Sequence, residues 1–124
     1  MLALLAAAIT TPAPCSLSAS LTKTAAPSGG IVTSDAVTVN VPPGNSGVLK
    51  FTSFIITGAV ATEYRKNVAA WALATDGGSE TFAQGDTLAV RITGASAGDE
   101  WAFTLRDDTR SVSVVGSPFT ITAI

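Results

Sequence analysis

Histidine is missing from this sequence altogether. That absence removes the usual base of Ser-His-Asp and Cys-His nucleophilic sites and the commonest nitrogen ligand of zinc. Cysteine occurs once, at Cys15, so no internal disulfide can form and no disulfide framework organises the chain. Pro12 and Pro14 closely precede that cysteine and no basic residue stands near it, so nothing in the sequence lowers its pKa toward a nucleophile. Charge is scarce at 13% of residues, and the seven Lys and Arg are scattered from Lys23 to Arg110. Without a basic stripe to neutralise phosphates, nucleic-acid binding is excluded as an expectation. No apolar run approaches the roughly twenty residues that a membrane-spanning helix needs. The glycine-rich stretch Gly94-Ala95-Ser96-Ala97-Gly98 lacks the lysine of a phosphate-binding loop.

What is present is a chain of 124 residues, 47% hydrophobic, with a formal net charge of −2. That length accommodates one domain whose core closes without metal or disulfide. The apolar share is mostly Ala and Val, and aromatics make up only 6%. A surface with so little charge suits a domain packed against neighbours, because a free monomer normally relies on surface charge for solubility.

From Ser16 onward the apolar period is two, which is the signature of strands. Leu17, Ala19 and Leu21 alternate with Ser18, Ser20 and Thr22, and Val37, Val39 and Val41 alternate with Thr38 and Asn40. Leu49 and Phe51 lead into Ile55 and Ile56. Leu88, Val90 and Ile92 form another row, as do Trp101, Phe103 and Leu105. Val112 and Val114 follow, then Phe119, Ile121 and Ala123. Clusters such as Gly44-Asn45-Ser46-Gly47, Asp76-Gly77-Gly78 and Gly85-Asp86 punctuate these runs. Seven or more short alternating runs predict an all-β fold of antiparallel sheets, a sandwich or small barrel, with one wet face on each sheet. Only residues 68–73 have the composition of a helical turn.

Ahead of this body, residues 1–9 are an apolar run. The missing positive residue in front of it and the prolines before Cys15 argue against a cleaved or lipidated secretion signal. We therefore divide the chain into an N-terminal arm, 1–15, and a sandwich, 16–124. Three readings of the arm stay open: an extra strand of the same sandwich, a segment docking through Leu2, Leu4, Leu5 and Ile9 on a neighbouring subunit, or an uncleaved signal segment.

The carboxylates, among them Asp76, Asp86, Asp99, Glu100, Asp107 and Asp108, fall mostly in turn clusters, where solvation and turn capping account for them. No catalytic pair is singled out and no cofactor or metal site is assigned; a calcium site using Asp107 and Asp108 with another loop is the remaining metal reading. Trp101 is in phase with Phe103 and Leu105 and is expected in the core. Trp71, set among alanines, is expected there too, the alternative being a platform on which a ligand stacks. Arg65-Lys66 reads as a solvated strand end.

Residues 18–41 (SASLTKTAAPSGGIVTSDAVTVNV) resemble the opening of immunoglobulin-like or PKD-like domains of bacteriophage proteins. Residues 63–67 (EYRKN) and 82–91 (FAQGDTLAVR) resemble a second pattern of those domains, and 117–122 (SPFTIT) resembles their closing strand. Phe51 and Phe54 stand where the PKD-like type carries a Y-x-W pair. The resemblance implies an immunoglobulin-like β-sandwich and a non-enzymatic structural role in a virion, decorating or cementing the capsid as a head decoration or head-spike protein. Implied partners are the major capsid protein or other virion subunits, with a homo-oligomer or a host glycan as further options and neither membrane nor nucleic acid. The implied location is the virion, assembled in the host cytoplasm. The alternatives are a tail or fibre adhesion module that binds host surface glycan, and a secreted bacterial adhesion domain.

Overall fold

A computed structural model describes residues 12–124, and all twelve of its strands are short or of moderate length, with no helix among the described residues. In chain order they are β1 (Ser16–Leu17), β2 (Lys23–Ala25), β3 (Val32–Thr33), β4 (Val37–Asn40), β5 (Val48–Thr57), β6 (Ala61–Lys66), β7 (Ala72–Leu73), β8 (Ser79–Thr81), β9 (Thr87–Thr93), β10 (Glu100–Asp107), β11 (Val112–Ser113) and β12 (Phe119–Ala123). They form two sheets. The first runs β1-β4-β9-β6-β7, with β3 also pairing β9; the second runs β2-β12-β10-β5-β8, with β11 also pairing β10. Every pairing is antiparallel except that of β2 with β12, which is parallel. The expected all-β fold of two sheets over a shared core is thus observed.

The alternating rows form that core. Val37, Val39, Leu88, Val90 and Ile92 from the first sheet meet Leu49, Phe51, Trp101, Phe103, Leu105, Phe119 and Ile121 from the second in one buried cluster. Aromatic rings make its centre: Trp101 stacks on Phe103 with centroids 4.3 Å apart, Phe103 lies 5.7 Å from Phe51, and Phe51 reaches Tyr64 of the opposite sheet at 5.2 Å. Such offset and edge contacts add to the area these rings remove from water.

Three local expectations are revised. The row Leu17–Leu21 is the end of β1 and a crossing between sheets: β1 pairs β4 in the first sheet, and β2, beyond the crossing, pairs β12 in the second. Leu21, in the crossing, is fully buried. Residues 68–73 form a turn and then β7, which pairs β6 through Tyr64↔Ala72 and Glu63↔Leu73. Finally, β5 is interrupted by a bulge. Thr52 faces Thr104 and Ile55 faces Ala102, so one extra residue is inserted on β5, where Ser53 takes a left-handed φ of 57°.

Asp107, expected in a solvated turn, is buried. It continues the inward row of Trp101, Phe103 and Leu105, and four N–H groups satisfy it. Its Oδ2 accepts from Cys15 N at 2.6 Å and Asn45 Nδ2 at 2.8 Å, and its Oδ1 accepts from Thr109 N at 2.9 Å and Arg110 N at 3.1 Å. Burial pushes its pKa up, but these bonds together outweigh burial and hold the carboxyl below its ordinary value. Cys15 is itself part of the core. Burial first, and then the Asp107 charge, pushes its thiol up to about 11.

Candidate functional site

Seven of the eight aromatic residues lie in the core or pack against it: Phe51, Phe82, Trp101, Phe103 and Phe119 within, Phe54 and Tyr64 against it. Trp71 is the exception. It sits on the outer face of the first sheet, beside a groove of about 470 Å³ that is also lined by Thr33, Ser34, Ala36, Arg65, Asn67, Val68, Thr87 and Ala89. The expectation of a core position holds for Trp101, which is fully buried, and not for Trp71.

Strand alternation builds the groove. On β9, Leu88, Val90 and Ile92 point into the core, which turns Thr87, Ala89 and Arg91 outward. On the neighbouring β6, Glu63 pairs with Arg91 and Arg65 with Ala89, so these side chains share that outer face. Ser34 closes one side by continuing the ladder past β3, its N donating to the Val90 carbonyl at 2.8 Å and its Oγ accepting from Val90 N at 3.0 Å. The loop after β6 then folds Trp71 back over the two arginines, with the Arg91 Cζ 4.2 Å and the Arg65 Cζ 5.9 Å from the indole centroid. Cation–π attraction holds the ring in this position.

The loop's return is fixed by Asn67. Its φ is 54°, a left-handed conformation that asparagine tolerates better than most residues. Its Oδ1 accepts from Thr87 N at 2.9 Å, its Nδ2 donates to Asp86 Oδ1 at 3.1 Å, and its own N donates to the Thr87 carbonyl at 2.9 Å. Asp86 in turn caps its own turn, its Oδ2 accepting from Ala83 N at 2.9 Å. The bond from Ala83 and then the one from Asn67 hold the Asp86 carboxyl below its usual range. Gly85 supplies the turn's φ of 90°. The asparagine of the sequence pattern and its Gly-Asp turn are therefore two halves of one clasp between β6 and β9.

Charge in the groove is unbalanced. Arg91 is paired with Glu63 at 2.8 Å, Lys66 with Glu80 at 3.7 Å, and Lys23 with Asp35 at 3.6 Å. Arg65 has no acidic partner among the described residues, and its Nε is buried with no hydrogen-bond acceptor. Buried guanidinium N–H groups without acceptors are rare in folded proteins. Arg110 Nε and Trp101 Nε1 share that condition, but of the three residues only Arg65 lines the groove. The reading of Arg65-Lys66 as a solvated strand end is replaced by two different roles. Arg65 belongs to the groove, while Lys66 donates to the Thr81 carbonyl at 3.0 Å and bridges to Glu80.

The other sequence candidates are placed as follows. Leu2, Leu4, Leu5 and Ile9 lie outside the described residues. Asp107 is saturated by its four N–H donors, and no group of three His, Cys, Asp or Glu side chains gathers as a metal site among the described residues. Asp99 accepts from Ser96 N at 3.0 Å within its own loop. The sequence offers Trp71 as a ligand-stacking alternative but reads Arg65 as a solvated strand end, so it does not assemble the groove. No family model, no curated protein and no solved structure matches this chain.

Proposed function

We propose that this chain is a non-enzymatic structural protein of a bacteriophage particle, an immunoglobulin-like sandwich seated against the major capsid protein or other virion subunits. The strand order supports the fold half of this reading. Taking β1, β4, β5, β6, β9, β10 and β12 as seven successive strands A to G, the sheets contain A-B-E-D and G-F-C, the arrangement of constant-type immunoglobulin domains.

The structural role rests on the outer face of the second sheet. The registers of β5, β10 and β12 put Thr52, Ile55, Ala102, Thr104, Thr120 and Thr122 on that face, with charge only at its margins in Lys50, Arg106 and Glu100. Ile55, opposite Ala102, is 65% exposed. Depletion of charge at the centre of a sheet face, with charge at its rim, is one compositional mark of an interface. The test is quantitative mass spectrometry of purified particles. A copy number that follows the shell lattice supports decoration; absence from the particle refutes the reading. Docking through Leu2, Leu4, Leu5 and Ile9 is tested by removing residues 1–11, which should abolish incorporation without lowering the melting temperature.

A second reading, an adhesion module for host surface glycan, is favoured by the groove. An exposed-side tryptophan with neighbouring hydroxyl and guanidinium groups is the composition that sugar rings stack and hydrogen-bond on. A copy number that follows the tail rather than the shell would support it.

A further inference from the structure

We propose that the groove between β3, β6 and β9 is a binding site for an acidic saccharide, with Trp71 as the stacking surface for the sugar ring and Arg65 as the partner of its carboxylate. This rests on the glycan-binding reading and narrows it to sugars that carry a carboxyl group.

Three features converge on that ligand. The first is shape: about 470 Å³, open to solvent, falls within the range of small-molecule sites. The second is the composition of the walls. Ala36, Ala89, Val68 and the Trp71 ring offer apolar surface for the C–H face of a pyranose, and the Thr33 and Thr87 side chains offer hydroxyls for its rim. Val68 is 87% exposed, an apolar side chain left at the mouth of the groove. The third is charge. Glu63 neutralises Arg91, so Arg65 carries the unbalanced positive charge of the groove; its Nε–H is buried and unpaired, and a ligand would meet the guanidinium through its terminal amino groups.

A carboxylate fits this site better than a phosphate. A guanidinium presents a planar fork that matches the two oxygens of a carboxylate, and one such pair satisfies both groups. Phosphate sites usually gather several cations or a row of backbone N–H groups, and a single unpaired arginine among the groove's lining does neither. The Asn67 clasp also fixes the loop that carries Trp71, so binding orders little that is not already ordered.

The experiment is titration of the full chain, followed by the two indole N–H signals in NMR spectra. Trp101, fully buried, is the internal control for the fold. The ligands are sialyllactose against lactose, and tetragalacturonate against its carboxyl-reduced form, with sodium sulfate as an oxyanion control. At least one acidic member should shift the Trp71 signal and leave Trp101 unmoved, and its neutral counterpart should bind about tenfold more weakly or worse. Arg65→Gln should erase that difference, while Arg65→Lys, which keeps the charge and loses the fork, should retain part of it.

Equal binding of acidic and neutral sugars, or an acid preference that survives Arg65→Gln, overturns the acidic assignment while leaving the glycan reading standing. No shift with any saccharide through the millimolar range overturns both. A Trp71 shift with sulfate alone as large as with the sugars shows a plain oxyanion pocket and also overturns the proposal.

Discussion

Replacing Asp107 with asparagine should destabilise the domain severely although it changes almost no volume. The carboxylate accepts four N–H bonds, two on each oxygen, from Cys15, Asn45, Thr109 and Arg110. An amide has one acceptor. Whichever oxygen becomes NH2, two donors lose their acceptor and confront another donor in a buried site, and the other two lose a charged partner. At roughly 1.5–3 kcal/mol for each bond to a charged acceptor, less the desolvation cost that the neutral amide avoids, the net loss is about 3–4 kcal/mol. With a urea m-value of about 1.5 kcal/mol per M, the unfolding midpoint should fall by about 2–3 M. The effect should also depend on pH with a definite sign. The folded carboxyl titrates below its ordinary value, so its contribution is complete above the unfolded pKa of about 3.9 and is lost as pH falls through the folded pKa. The gap between wild type and Asp107→Asn should therefore be full at neutral pH and shrink below about pH 4. A loss under about 1 kcal/mol at neutral pH, or a gap that does not change with acid, would refute the description of Asp107 as a charged four-bond latch.

Cys15, with its thiol raised to about 11 and its side chain in the core, should react with a disulfide reagent at pH 8 only through unfolding, and chaotrope should speed the reaction by about a hundredfold or more. Asn67→Ala loses both side-chain bonds of the clasp and places alanine at a left-handed φ of 54°; thermal melts should register a loss of about 1–3 kcal/mol. Ser53→Gly relieves the left-handed bulge on β5 and should raise the melting temperature by a few degrees, about 0.5–1 kcal/mol. The two tryptophans should part company: Trp101→Ala costs about 3–5 kcal/mol in the core, while Trp71→Ala costs under about 1 kcal/mol and removes saccharide binding.

The alternating rows were legible because one face of each strand is dry. β4, β9, β10 and β12 stand where period-two apolar residues placed them. β6 carries Thr62, Tyr64 and Lys66 on its inward side, so counting apolar residues passes over it, and it surfaced only as a motif around Tyr64 and Asn67. β3 and β8 are two and three residues long, too short to express any period. Asp107 was assigned to solvent by residue type, yet its position continues the inward row begun by Trp101; there, phase was the better guide than polarity. The groove depends on Trp71 meeting Arg65 and Arg91 across a turn and two strands, a juxtaposition set by tertiary pairing and invisible to local pattern. The strand order, likewise, is a property of partners, and alternation marks only faces.

The parallel pairing of β2 with β12 has a consequence for how the molecule is made. Lys23 sits opposite Ile121, and Cys15 is held by Asp107, so β2 and the segment before β1 complete their hydrogen bonding only with β12 and β10. During synthesis β12, which closes the second sheet, follows every other described strand out of the ribosome. Until then β10 lacks its β12 neighbour, and the faces of Trp101 and Phe103 that Ile121 and Phe119 will cover stay open to water. Pairing of β12 with β2, across most of the described chain, is slow compared with helix or hairpin formation. A chain that lacks β12 therefore leaves an aromatic edge exposed, and a truncation that removes β12 should yield an aggregating product rather than a smaller domain.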